Sequence, residues 1–556
     1  MKRSPARNVL LGAVLVGAAC VGGGLLGGGV QADTKELDRS MRTFSQVLAL
    51  LETQYIHPVE SEELIESAIR GMLAKLDPHS NYLSPDAFSE MKDEQRGRFS
   101  GLGIQISKLP PDGTLTIIAP IEGTPASRAG LQAGDIIYRI EGEETADLTV
   151  QDAVRKLKGQ RGTKVTITIQ RPGEGSEFDV TVVRDVIPID SLRAAFMLEP
   201  GVGYIHIINF TSTTTRELDD AIARLLEEGM DRLLLDLRGN PGGLLEQAVQ
   251  ISERFVKEGE LVVYTRGRIN GSDQDYFAGN DVERVKVPLV VLVDRGSASA
   301  SEIVSGAIQD HDRGLVVGET TFGKGLVQRV IPLSNNGALA VTTAKYYTPS
   351  GRLIQRDFSD REEYFMPRGL LEGGEGEEEV APQEPEEPQE REVFRTDAGR
   401  VVYGGGGITP DYEVPARTMP ALLSQMVREN LIFDFAVLHN SRHEKMAKGV
   451  PFGDEQVKEL REFLASREFE YDAEAFQEHL DLIVLRTRAQ IARGRWNAEE
   501  EIRVFSEADP QIRKAMEVFD EAARLADLEP VSIEDEHRIA DLGTSAGPSE
   551  TTQRQP

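Results

Sequence analysis

The stretch V287-P-L-V-V-L-V-D-R-G-S-A-S-A-S-E-I-V-S-G-A-I308 decides the fold. Its opening, V287-P-L-V-V-L-V293, is apolar almost without interruption, the pattern of a strand buried on both faces. D294-R-G296 breaks the run, and Ser297 to Ile308 continues with helical spacing. A second unit has the same order, with R232-L-L-L-D-L237 as a strand, R238-G-N-P-G-G243 as a turn and L244-L-E-Q-A-V-Q-I-S-E-R-F255 as a helix. Buried strands alternating with helices make an α/β core. Small residues at each strand-to-helix turn leave backbone N–H groups unpaired beside the positive end of a helix dipole.

Such corners hold the parts of an acyl-transfer site. A serine presents its hydroxyl, turn N–H groups receive an oxyanion, and a base must reach the hydroxyl. None of the eight histidines is well placed for that role. His311 lies about 120° around the helix from Ser299 at roughly 100° per residue, and His206 falls inside the predicted strand Y204-I-H-I-I208 as a core residue. A desolvated lysine can replace histidine, because burial disfavours its charged form. Ser-Lys pairs are a known variant of triad logic. Lys324 stands in G318-E-T-T-F-G-K-G325, which fits seven of the eight positions of a phosphate-binding loop. The eighth, Gly325, lacks the metal-binding hydroxyl, and L326-V-Q-R-V-I-P-L333 reads as a strand where a helix should follow. The nucleotide-loop pattern therefore fails in both its metal ligand and its context.

Upstream, residues 34 to 95 read as helical, with the pattern broken by the Pro-bounded loop D77-P-H-S-N-Y-L-S-P-D86. From Ser100 to Val183, short β-type runs alternate with Gly turns around one helix, L148-T-V-Q-D-A-V-R-K-L-K158. G101-L-G-I104 and G123-T-P-A-S-R-A-G-L-Q-A-G-D-I-I137 make this segment resemble a PDZ domain. Successive backbone N–H groups of Gly101, Leu102, Gly103 and Ile104 can converge on a C-terminal carboxylate, and the strand from Ile104 can pair with an incoming peptide. Val150, Val154 and Leu157 place an apolar stripe on the helix beside it, as the side-chain pocket.

L235-D-L-R-G-N-P-G-G243, S297-A-S-A-S-E302 and G318-E-T-T-F-G-K-G-L-V-Q328 together resemble the carboxyl-terminal processing peptidases, or tail-specific proteases, of family S41. The resemblance spans about residues 40 to 415, including D77-P-H-S-N-Y-L83 and T396-D-A-G-R-V-V-Y-G-G-G-G-I-T-P-D411. It implies a serine endopeptidase with a crotonase-like α/β core and an inserted PDZ domain. By motif position it implies Ser299 as nucleophile, Lys324 as base and Gln328 as the residue that orients the lysine. The expected oxyanion donors are the N–H of Ala300 and one from Gly242 or Gly243. Arg171, in Q170-R-P-G173, matches a regulatory arginine that holds the active arrangement in related peptidases. No metal and no cofactor is implied.

The multidomain organisation follows. Residues 1–32 carry Lys2, Arg3 and Arg7 before an apolar run from Val9 to Val30, a signal peptide cleaved after Ala32 or retained as an inner-membrane anchor. The expected localisation is the periplasm or cell envelope. Cys20, the single cysteine, lies in that run, so the exported part has neither disulfide nor thiol nucleophile. The divisions are 33–95 as an N-terminal helical region, 96–184 as the PDZ domain and 185–417 as the peptidase core. An acidic insertion at 366–392 interrupts the core, 418–530 forms a C-terminal helical extension, and 531–556 is a disordered tail. The formal net charge is −30, and ten glutamates fall between Glu372 and Glu392. That balance argues against nucleic acid as partner. The implied partners are protein or peptide substrates with accessible C-termini, a second copy of the chain and an adaptor protein docking on the helical extension. His439 and His443, four apart, have the spacing of a metal pair, but no carboxylate motif accompanies them. A PDZ scaffold that holds tails without cutting them is the binding-class rival, and Ser299, Lys324 and Gln328 together count against it. A hydratase activity on acyl-CoA is set aside, since fold does not fix function and export removes the cofactor pool.

Overall fold

The structure is a computed structural model. It describes residues 34–110, 113–172, 176–280, 282–359, 364, 391–443, 446–449 and 452–526. The expected leader with Cys20, the acidic insertion up to residue 390 and the tail 531–556 lie outside the described residues. No helix among the described residues is long and apolar enough to cross a membrane.

The chain divides into two units, Met1–Leu76 and Asp77–Pro556. The first contributes the helices Thr34–Gln54 and Ser61–Leu73. Leu37, Met41, Phe44 and Leu51 form an exposed apolar stripe on the longer helix.

The second unit is built on a six-stranded sheet in the order Leu192–Glu199, Val202–Ile207, Arg232–Asp236, Leu289–Val293, Leu315–Gly318, Tyr412–Glu413. The first pair is antiparallel and the rest are parallel. The Leu289–Val293 strand is buried at every position, as its unbroken apolar run predicts. Helices Thr214–Glu227, Leu245–Ser252 and Ala300–Asp310 cover one face with Leu218, Leu225, Ala248, Ile251, Val304 and Ile308. The other face is sealed by Ile512, Ala515, Phe519, Ala522 and Leu525, from helices Pro510–Glu517 and Phe519–Ala526. The helical extension expected from residue 418 therefore does not stand apart, because its last two helices complete the core. Leaving Val290, Leu292 and Val317 uncovered would forfeit on the order of 1.5–3 kcal/mol for each fully buried side chain. Between them and Pro415, the helices from Ala421 to Arg495 pack on a hydrophobic cluster of their own. The stretch from Ala473 to Arg495 is divided at His479 into two helices, Ala473–Glu478 and Leu480–Arg495.

A second sheet carries the loop chemistry. Its long strand, Ala338–Tyr347, pairs with Leu326–Pro332, with Leu261–Gly267 and with Asn81–Leu83. Asn81–Leu83, a strand inside the Pro-bounded loop, is thereby fastened to the same strand that pairs with the one carrying Gln328.

The PDZ-like segment forms its own sheet in the order Ile104–Leu109, Thr114–Pro120, Ile136–Ile140, Lys164–Gln170, Phe178–Val183, with the helix Val150–Leu157. Thr149 and Asp152 close a reciprocal capping box at the helix start. Leu102, Ile117, Ile137, Ala153, Leu157, Val165 and Ile167 fill its core.

Candidate active site

Two turns interlock at the ends of the Arg232–Asp236 and Leu289–Val293 strands. The Ser297 hydroxyl donates to Leu237 O (2.8 Å) and that of Ser301 to Asn240 O (2.9 Å), while Gly239 N donates to Asp294 Oδ1 (2.8 Å). Ser297 and Ser301 are fully buried in these bonds. Ser299 between them is only partly buried, and it takes φ 55° and ψ −108°, a backbone conformation rare for a residue with a Cβ. The three serines of the sequence are thus separated by packing, and the middle one alone has the strained, outward geometry of a nucleophile at a strand-to-helix turn.

Gly242 shows why the facing turn is glycine. Its φ is 101°, and a Cβ there would lie 2.8 Å from the Ser299 Cβ and 2.9 Å from Ala300 N. The Gly242 N–H donates to Asn240 Oδ1 at 2.9 Å. The N–H groups of Gly243 and Ala300 have no acceptor among the described residues. Of the two glycines expected as oxyanion donors, Gly243 is the one with a donor to spare.

Glu302, one turn into the Ala300–Asp310 helix, is completely buried and ties the serine turn to the lysine loop. Its Oε2 accepts from Ser299 N (2.7 Å) and Lys324 N (2.9 Å), and its Oε1 from the Thr321 hydroxyl (2.6 Å) and Gly323 N (2.8 Å). Burial raises its pKa, and the four donors oppose that shift. Since the backbone donors cannot accept, the group they face is the carboxylate. The Tyr346 hydroxyl, also buried, reaches the carbonyls of both Ser299 (3.1 Å) and Lys324.

Lys324 is partly buried, and its Nζ donates to Gln328 Oε1 at 3.4 Å. Burial pulls its pKa below the ordinary amine value, against the nearby carboxylates of Glu302 and Asp77. Gln328 follows a bulge in its strand, and its Nε2 donates to His79 O at 2.5 Å. That carbonyl is fixed by an Asx turn in which Asp77 Oδ1 accepts from His79 N (2.8 Å) and Ser80 N (2.7 Å). The His79 ring pairs with the Tyr364 hydroxyl at 2.6 Å. Burial, with the Lys324 and Arg356 cations close by, lowers its pKa to about 4.

The structure therefore brings Ser299, Ala300, Gly242, Gly243, Lys324 and Gln328 into one corner. Sequence reasoning missed Glu302, Asn240, Tyr346 and the His79 carbonyl. Glu302 had a signal, since S299-A-S-E302 has capping-box spacing. Tyr346 had none, because only strand pairing brings it back to Lys324.

The PDZ residues assemble separately. Ile104–Leu109 is an edge strand, with the Val150–Leu157 helix packed beside it. Gly103 has φ 81°, and a Cβ there would strike Thr124 at 2.4 Å. No residue among those described accepts from the N–H of Leu102 or Gly103. Leu157 is buried, whereas Val150 and Val154 are half-buried. The Arg171 guanidinium is held inside this segment by Asp135 (2.7 and 2.9 Å) and Gly130 O (3.0 Å).

Residues 201–359 match the model of Peptidase family S41, 116–171 that of a PDZ domain, and 28–87 that of the activating protease CtpB N-terminal domain. The chain is 40% identical over 321 residues to a carboxy-terminal-processing protease of Bartonella bacilliformis, covering 57% of this chain and 73% of that one. It is 39% identical over 312 residues to a carboxyl-terminal-processing protease of Synechocystis, covering 55% and 72%. Against the carboxy-terminal processing protease CtpB of Bacillus subtilis the identity is 34% over 329 residues, covering 59% and 68%.

Proposed function

Because the chain belongs to peptidase family S41, among the carboxy-terminal processing proteases with a PDZ domain, we propose that it is an exported endopeptidase working through a Ser299–Lys324 dyad. The observation that carries this reading is the shared carboxylate of Glu302, which holds the N–H groups of Ser299 and Lys324 on one oxygen. Neutral Lys324, favoured by burial, takes the Ser299 proton as the hydroxyl adds to a peptide carbonyl. The Ala300 and Gly243 N–H groups receive the developing oxyanion, and the protonated lysine returns its proton to the leaving amine. Gln328 holds the Nζ, and is itself held by the His79 carbonyl. Water then completes hydrolysis of the acyl-enzyme by the reverse sequence of proton transfers.

Substrates enter by their C-termini. The unpaired N–H groups at Leu102 and Gly103 suit a free carboxylate, and the edge strand from Ile104 suits an extended tail. The basic and apolar order of residues 2–30 supports export to the cell envelope. The exposed stripe of Leu37, Met41, Phe44 and Leu51 supports self-association, which sedimentation of Leu37→Glu/Phe44→Glu tests as loss of an oligomer.

The decisive assay follows an unfolded protein substrate with wild type and Ser299→Ala, with and without EDTA, well below the melting temperature. Wild type cleaves in both conditions and Ser299→Ala, equally folded, does not. A wild type that binds but never cuts makes the protein a scaffold. Loss of cleavage in EDTA with recovery in zinc sinks the dyad.

A further inference from the structure

We propose that His439, His443 and Glu459 form a binding site for a divalent transition-metal ion, with zinc the best fit, in the helical body after Pro415. The sequence alone offers two histidines on one face of the Leu431–Arg442 helix and its C-cap, and no third ligand. The fold supplies it. Phe435, Leu460, Phe463 and Leu464 share one hydrophobic cluster that draws the Asp454–Ser466 helix alongside. Glu459 Oε2 then lies 3.5 Å from His439 Nδ1 and 4.0 Å from His443 Nε2. All three ligand atoms fall within 4.8 Å of one another. Tetrahedral zinc with bonds of about 2.0–2.2 Å separates its ligand atoms by roughly 3.3–3.5 Å, so a small contraction closes the site.

A second observation points to a ligand. The His439 side chain is 3% exposed, stacks on Phe435, and leaves its buried Nδ1 without a well-formed hydrogen bond among the described residues, with Glu459 Oε2 standing off at 3.5 Å. Buried ring nitrogens are rarely left so, and a metal bond is one way to satisfy them. His443 and Glu459 are 43% and 31% exposed, so an ion can enter and a water can take the fourth position. Two imidazole nitrogens and one carboxylate suit zinc better than magnesium or calcium.

The other cluster of this kind among the described residues, Glu260, His311 and Asp397, lacks the spare nitrogen. His311 Nδ1 sits 2.8 Å from Asp397 and Nε2 2.7 Å from Leu261 O, so both ring nitrogens are engaged. The ion at His439 would clamp two helices and touch none of the residues around Ser299. One of the clamped helices meets the PDZ-like segment, because a Cβ on Gly134 would fall 2.7 Å from Val437.

The test uses the full chain, freed of metal by a chelator and titrated with zinc by calorimetry, then with cobalt for its visible bands. Expected are one saturable site per chain, tetrahedral-type cobalt bands, and zinc binding at least ~100-fold weaker in His443→Ala and in Glu459→Gln, since each loses a direct ligand. Both positions are partly exposed, and the metal-free melting temperatures of the variants check folding. Absence of saturable zinc binding overturns the site. So does undiminished affinity and unchanged cobalt spectra in both variants.

Discussion

The corner around Ser299 and the groove beside Ile104 are opposites in how their hydrogen bonds are disposed. In the corner nearly every polar group is taken: Glu302 accepts four bonds, the Asn240 carbonyl joins the two turns by accepting from Ala298 N and the Ser301 hydroxyl, and Tyr346 reaches two carbonyls. In the groove an edge strand and the N–H groups of Leu102 and Gly103 have no partner among the described residues, beside two half-buried valines. A reaction coordinate needs groups fixed before substrate arrives. A site for varied tails needs bonds that only the ligand completes. Substitutions should therefore act on turnover in the corner and on affinity in the groove.

The largest effect is expected at Lys324. Lys324→Arg keeps length and charge but cannot present a neutral amine, so kcat should fall by ~10³-fold or more while peptide affinity is unchanged. Single-turnover kinetics with a tailed substrate would measure it. Activity within tenfold of wild type removes the lysine from its role as base.

Next comes Glu302→Gln, which tests whether the corner is a single hydrogen-bonded unit. An amide can accept only on its oxygen, so its NH₂ is turned against two of the four donors. A stability loss of about 2–4 kcal/mol follows from the unmet buried groups. A kcat loss of ~10²-fold, with little change in KM, marks it as a positioning residue. Since the Glu302 charge raises the Lys324 pKa, its removal should also shift the rising limb of the pH–rate curve to lower pH. An unmoved limb would mean that the carboxylate does not act on the lysine.

This corner also shows what the sequence disclosed. Strands such as Leu289–Val293 and Lys164–Gln170 were legible because their apolar periodicity reflects burial, and the Ser299, Lys324 and Gln328 positions because short motifs carry them. Tyr346 was hidden because its approach depends on the pairing of Leu326–Pro332 with Ala338–Tyr347. The role of the last helices in the core was hidden for a related reason. Amphipathic spacing in Pro510–Glu517 announces a buried face but not the sheet that buries it. Glu459 beside two histidines is the same lesson, a neighbour supplied by packing.

In the groove the effect should be smaller and of another kind. A peptide with an apolar C-terminal residue and free carboxylate should bind at least ~10-fold more tightly than its amide, because charge-assisted bonds to the loop are lost. Fluorescence anisotropy on Ser299→Ala measures this without cleavage. Equal affinities would remove tail recognition and leave the corner's chemistry intact.

The smallest effect asks how far the corner's rigidity extends. His79 lies at its rim, with its carbonyl on Gln328 and its ring against Tyr364. Its pKa in the folded chain is about 4, against an ordinary 6.5. Between those values the unfolded chain holds the extra proton, so stability is complete above pH 6.5 and declines as pH falls toward 4. The partial exposure of the ring limits the contribution to about 2 kcal/mol or less. Asp77, whose own pKa is lowered, loses its contribution only at still lower pH, so it does not confuse this window. His79→Asn keeps the backbone carbonyl on Gln328, and its melting temperature should fall less than that of wild type between pH 6.5 and 4. Parallel melting curves for the two proteins across that window would place the His79 ring in solvent, and the tightly bonded corner would then end at Gln328.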